Sequence, residues 1–143
     1  MMDHEPTGMT AKRHWMAEGS CDISFDGEVP CVVMVWQGYV PSRDFRDANE
    51  RVLALVRETG ATKLLGDIEG FTLIGADDQR WLNQSWIPRA VATGVRTCAL
   101  VQPVYYFNKV AVENVVRDLG QVRLTVSHFN QREEARAWLT QVP

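Results

Sequence analysis

Three short, largely apolar runs, at residues 30–36 (PCVVMVW), 63–68 (KLLGDI) and 97–101 (TCALV), constrain the fold of this chain more than any other feature. Runs of this length without regular polar alternation are expected of strands covered on both faces. What separates them has a different period. Phe45, Ala48, Val52, Leu55 and Val56 recur at three- and four-residue steps, with Arg43, Asp44, Arg46, Asp47, Glu50 and Arg51 facing outward. That pattern predicts an amphipathic helix over residues 43–58, with Ser42 behind Pro41 as its N-cap and Gly60 as its stop. Strands joined through helices need crossover connections, which places them in a mostly parallel sheet.

Ahead of these runs, residues 21–25 mix Asp22 and Ser24 with Ile23 and Phe25, as an edge strand does, and lead through Asp26-Gly27 into the 30–36 run as an antiparallel hairpin. Residues 1–18 are polar and contain Pro6 and Gly8; they read as a tail with Trp15 as its docking residue, followed by a single domain over 19–143. A helix opens near Asp77 with Trp81, Leu82, Trp86 and Ile87 on its apolar side. Pro88 lacks an N–H and crowds the preceding turn, so this helix should bend or restart near Ser85. Val112, Val115, Val116 and Leu119 form the stripe of a further helix ended by Gly120. Residues 122–128 alternate Val122, Leu124 and Val126 with Arg123, Thr125 and Ser127, as a half-covered strand does. Asn130 with Glu133 resembles a capping box before a last helix with Ala135, Trp138 and Leu139 on its apolar face. The predicted fold is α/β in the order ββαβαβαβα: a mostly parallel sheet with an N-terminal antiparallel hairpin and helices packed on it.

At 143 residues the chain can bury a core without disulfides or metals. Its net charge is −3 and its basic residues are scattered singly, which disfavours nucleic acid as a partner. No apolar run approaches the ~18 residues of a membrane span and residues 1–20 lack the apolar stretch of a secretory signal, so a cytoplasmic protein with no integral membrane segment is expected. Cys21, Cys31 and Cys98 form no CxxC and are read as small hydrophobes in a reducing compartment.

The strand ending in GDIEGF, the tryptophans of WLNQSWIP around a proline, and HFNQREEARAWL at the end, taken in this order, resemble the SpoIIAA-like family of STAS/SEC14-type domains over roughly residues 20–140. The resemblance implies a compact α/β regulatory or interaction module of bacterial type, with an apolar-ligand carrier as the SEC14-like alternative. Relatives that act as anti-sigma-factor antagonists are phosphorylated on a Ser or Thr at the start of the helix after the third strand. Here that place falls near Ala76, Asp77 and Asp78, with no hydroxyl; Thr72 lies in the preceding loop as a weak substitute. Acids at a helix start are also what capping and the helix dipole favour, and capping is the expected role of Asp77.

No catalytic constellation stands out: GxSxG, HExxH and a phosphate loop are missing, and His4, His14 and His128 are scattered. No catalytic residue, metal ligand or cofactor is assigned. Asp67 is expected to order its adjoining loop through backbone N–H groups. The interaction loop comprises Asp67, Glu69, Phe71, Thr72, Asp77 and Asp78. Tyr39, Phe71, Trp81, Tyr105, Tyr106, Phe107 and Phe129 are candidates for an apolar ligand site or an interface, since ligands of open α/β sheets gather at the carboxyl ends of strands. Trp81, Trp86 and Trp138 also suit helix-to-sheet packing. The expected function is a non-enzymatic module that docks a protein partner, with a homodimer admitted. The alternative is a carrier or sensor of an apolar small molecule or lipid held among the aromatic loops.

Overall fold

The computed structural model describes residues 9–15, as backbone only, and residues 19–143. Six strands form one sheet in sequential order: β1 (Met9–Trp15), β2 (Gly19–Asp26), β3 (Cys31–Gly38), β4 (Lys63–Phe71), β5 (Thr97–Val101) and β6 (Thr125–Phe129). Strands β1, β2 and β3 pair antiparallel, and β3 to β6 pair parallel. Helix α1 (Ser42–Thr59) joins β3 to β4, and α2 (Ala76–Trp81) and α3 (Ile87–Thr93) together join β4 to β5. Helix α4 (Tyr106–Arg117) leads to β6, and α5 (Arg132–Gln141) ends the described chain.

The predicted order is therefore present with one strand added in front. Residues 9–15, expected within a tail, pair through their backbone along the length of β2, from Met9 opposite Asp26 to Trp15 opposite Ser20. This makes β2 an interior strand, whereas its polar alternation had pointed to an edge. Residues 1–8 and 16–18 of the expected tail lie outside the described residues. The hairpin between β2 and β3 turns over residues 27–30, with the Glu28 N–H donating to Asp26 Oδ1 at 3.0 Å.

The strand order fixes which face each helix covers. Successive parallel strands added in one direction by crossovers of one hand send every crossover to the same side. Accordingly Cys21, Ile23, Val32, Met34, Trp36, Leu64, Ile68 and Cys98 share one buried cluster with the apolar sides of α1, α3 and α4. The alternate residues Cys31, Val33, Leu65, Ala99 and Val101 form a second cluster with Ala135 and Leu139 of α5. The period of two along each strand thus divides one sheet into two cores.

Pro88 acts as expected but less abruptly. Residues Leu82–Trp86 form a π-helical turn between α2 and α3, in which the Ile87 N–H reaches back five residues to the Leu82 carbonyl. Widening the turn accommodates a residue that has no N–H to give, and the helix resumes at Ile87 without a break. Gly60 ends α1 in the left-handed conformation, φ 71°, with its N–H on the Val56 carbonyl at 2.8 Å. The other predicted caps are corrected. Ser42 is the first residue of α1 and makes no cap hydrogen bond; its hydroxyl donates to Asp78 Oδ1 at 2.7 Å. Helix α4 stops at Arg117, ahead of Gly120, and no side chain caps α5, because Asn130 Oδ1 accepts from Gln102 Nε2 instead.

Charge holds α5 in place around its small apolar contact. Arg132 donates to Asp67 Oδ2 from Nε at 2.9 Å and from Nη2 at 2.7 Å, and Arg136 Nε donates to Asp26 Oδ2 at 2.7 Å. At the other end the buried Lys63 Nζ donates to the carbonyls of Leu139 and Val142 at 2.6 and 2.7 Å, where the helix dipole favours a cation. Burial raises the Asp26 pKa, but the hydrogen bond from Arg136, the backbone N–H groups of Glu28 and Val29 and the Arg136 charge outweigh it and hold the carboxyl below its ordinary value. A carboxylate depressed in the folded state contributes stability that is present above its unfolded pKa and is lost as pH falls through the folded one. The melting temperature should therefore fall as pH drops from about 5 to about 3. The Asp26→Asn variant should show a shallower fall, measured by circular dichroism; equal slopes would contradict the Asp26 contribution.

Candidate functional site

The carboxyl ends of β3, β4 and β5 carry an apolar tip. Val104, Tyr105, Tyr106 and Phe107 follow β5 and are 69, 47, 71 and 74% exposed. Tyr39 after β3 and Leu73 after β4 are exposed as well. Backbone bonds gather these segments: the Thr72 N–H donates to the Gly38 carbonyl and the Val104 N–H to the Glu69 carbonyl, both at 3.1 Å. The Tyr106 and Phe107 rings meet edge to face, 5.4 Å between centroids.

The tip stands on a pinned loop. Asn108, fully buried in the first turn of α4, accepts from the Ile74 N–H at 2.9 Å and donates to the Phe71 carbonyl at 3.0 Å. Gln79 Nε2 adds a bond to the Ile74 carbonyl at 2.8 Å. Phe71 itself is buried: it stacks on Trp36, with ring centroids 5.0 Å apart and planes 11° apart, and meets Phe45 at 5.9 Å. Of the expected aromatic set, Tyr39, Tyr105, Tyr106 and Phe107 are exposed, with Tyr106 and Phe107 in ring contact, while Phe71 belongs to the core. Phe129 lies on the α5 side against Trp138, and Trp81 lies against Phe45 with the guanidinium groups of Arg46 and Arg89 over its ring at 5.3 and 5.9 Å. Asn108 was not anticipated, and an asparagine at a helix start gives no signal that separates a core pin from a cap.

The acids of the loop are dispersed. Asp67 accepts the Glu69 N–H at 3.2 Å, as expected, and also holds Arg132, which the sequence did not suggest. Glu69 is exposed and Thr72 half-buried. The capping role assigned to Asp77 is corrected: α2 begins at Ala76 behind Gly75 with no side-chain cap, and Asp77 pairs with Arg80 on the surface. Asp78 is buried and accepts from Ser42 Oγ at 2.7 Å and Arg46 Nε at 2.8 Å, joining the starts of α1 and α2.

Beneath the tip, between the sheet and helices α1, α3 and α4, lies a partly open apolar cavity of about 120 Å³. Met34, Leu64 and Ile68 form part of its floor, and Leu82, Trp86 and Val112 part of its roof. Phe71 is the one member of the expected aromatic set in its wall. The π-helical turn spans the roof from Leu82 to Trp86, a placement common for such turns at sites that bind.

Among the described residues no cluster of His, Cys, Asp or Glu is arranged to hold a metal ion, and no helix is long and apolar enough to cross a membrane. Burial pushes the Cys31 and Cys98 thiols up to about 12 and the Cys21 thiol higher still, so all three stay protonated and unreactive at neutral pH. Cys98 sits opposite Val126, and the exposed His128 lies opposite Leu100, so the two do not form a pair.

Removing Asn108 should unpin the loop under the tip. Asn108→Ala leaves the buried Ile74 N–H without an acceptor and should cost about 2–4 kcal/mol in urea unfolding. Asp77→Ala, on an exposed pair, should stay within about 0.5 kcal/mol of the wild type. Equal effects of the two would contradict this assignment of roles.

No protein-family model matches the chain, and no curated protein matches it by sequence. Among solved structures it is similar to an uncharacterised protein of the DUF3478 family with a SpoIIAA-like fold from Shewanella loihica PV-4, at 15% identity and a TM-score of 0.51. That similarity covers 97% of this chain and 99% of the other. The sheet order, the crossover helices on one face and this full-length correspondence together give the chain a SpoIIAA-like fold.

Proposed function

We propose that this protein is a non-enzymatic STAS-type interaction module that docks a protein partner through its aromatic tip. The observation that carries the reading is the run of four consecutive exposed apolar residues, Val104 to Phe107, with Tyr39 and Leu73 exposed on the loops bonded to the same strand ends. Contiguous exposed patches rich in Tyr and Phe mark interaction sites, whereas singly scattered apolar residues do not. Burying two such rings against a partner is worth on the order of 3–6 kcal/mol before the cost of association. Pinning by Asn108 lowers the ordering cost. The place of a phosphorylated hydroxyl in switching relatives is taken by Ala76, Asp77 and Asp78, so the surface is constitutive.

A second reading is favoured by a separate observation. The apolar cavity beneath the tip supports a carrier or sensor of a small apolar molecule, held between sheet and helices in place of the aromatic loops. The two readings are compatible, since the loop from Phe71 to Ile74 contributes to both cavity and tip.

The Tyr106→Ser/Phe107→Ser double variant tests the first reading. Both side chains are exposed, so its melting temperature should match the wild type. Protein partners captured by the wild type, including a second copy detected by light scattering, should bind the variant at least about tenfold more weakly. A wild type that stays monomeric and retains nothing the variant does not also retain would overturn the proposal.

A further inference from the structure

Apart from the indoles of Trp36 and Trp86 and the Cys98 thiol, the one polar side chain in the wall is Asn49 of α1, which is 3% exposed. Its Nδ2 donates to the Phe45 carbonyl at 2.9 Å, one turn back in the same helix. Its backbone carbonyl accepts Trp86 Nε1 at 2.7 Å, which consumes the indole donor in the roof. Among the described residues nothing donates to Asn49 Oδ1. Turning the amide over does not relieve this, since it would set Oδ1 against the Phe45 carbonyl, acceptor against acceptor. A buried carbonyl without a donor is costly, and buried polar groups normally find partners.

We infer that the cavity binds a small uncharged molecule with an apolar body and a single hydrogen-bond donor, seated with that donor on Asn49 Oδ1. The inference rests on the second reading above and assigns its ligand class. Water is a poor occupant, because an ordered water needs two to four polar partners and the lining is almost wholly apolar. A charged ligand is disfavoured, because no ionisable side chain other than the protonated Cys98 thiol lines the space. Size narrows the class further: a dry apolar cavity of about 150 Å³ admits benzene, so about 120 Å³ suits a single ring or a short chain. Entry is available where α4 ends against the last strand, since Val116, Leu119, Leu124 and Val126 line the cavity and are half-buried. Phenols and short aliphatic alcohols meet every condition.

Phenol and benzene form a matched pair of probes, differing by one donor. Titration of the isotope-labelled full chain, followed by amide shifts of α1, the π-helical turn and β4, should show both bound, with phenol tighter by on the order of tenfold. Asn49→Leu should keep benzene and lose the preference for phenol. Wild type binding the two equally overturns the donor assignment while leaving the cavity reading intact. Wild type shifting with neither probe overturns the cavity reading itself. If Asn49→Leu does not fold, wild type titrated with anisole, whose oxygen has no proton to give, decides the point: affinity equal to that of phenol overturns the inference.

Discussion

The sequential order of the sheet is the constraint on which the rest of this structure depends. Because β3 to β6 follow one another without reversal, the three crossovers stack on one face, and the opposite face is left to the last helix. The two faces are consequently held by different physics. The crossover face is a broad apolar core whose strength scales with buried area. On the other face α5 rests on Ala99, Leu65 and Val33 through Ala135 and Leu139, and charge-assisted bonds from Arg132, Arg136 and Lys63 fix its position. Such bonds are stronger and more directional than neutral ones, which suits a short helix with little apolar surface.

The same order bears on where a ligand can sit. In doubly wound sheets a crevice opens where neighbouring crossovers leave to opposite faces. Here α1, α2–α3 and α4 leave to the same face, so the loops at the strand ends pack side by side. Aromatic residues on those loops then have no cleft to line and stand outward. An apolar space lies instead under the roof formed by the π-helical turn. An exposed tip and an apolar cavity are thus two consequences of one topology, and the Phe71 to Ile74 loop borders both.

Much of this was legible in the residues. The continuous apolar run CVVMVW and the three- and four-residue steps from Phe45 to Val56 carry β3 and α1, and Gly60 and Pro88 mark the breaks they should. What failed was the use of polar side chains. Ser42, Asp77 and Asn130 read as local caps in sequence, yet Ser42 bonds to Asp78, Asn130 to Gln102, and Asp77 pairs with Arg80 on the surface. Local propensity describes what a side chain can do alone, and tertiary partners outbid it wherever the helix start is buried. Strand β1 was missed for a related reason: MTAKRHW has no apolar run, and its pairing with β2 is a backbone interaction that any sequence can make. Asn49 escaped notice because it lies on the apolar side of α1 beside Ala48, where periodicity marks the position and not its chemistry.

The central claim is that the crossover face is incompletely filled beneath a well-packed aromatic end. A crystal of the protein purified without refolding and pressurised with xenon tests it most directly, since xenon enters dry apolar cavities and is visible by its electron density. The account predicts a xenon atom between Ile68, Leu82 and Val112, or an organic molecule already there and displacing it. Side chains closing over that space, with neither xenon nor ligand inside, would contradict it.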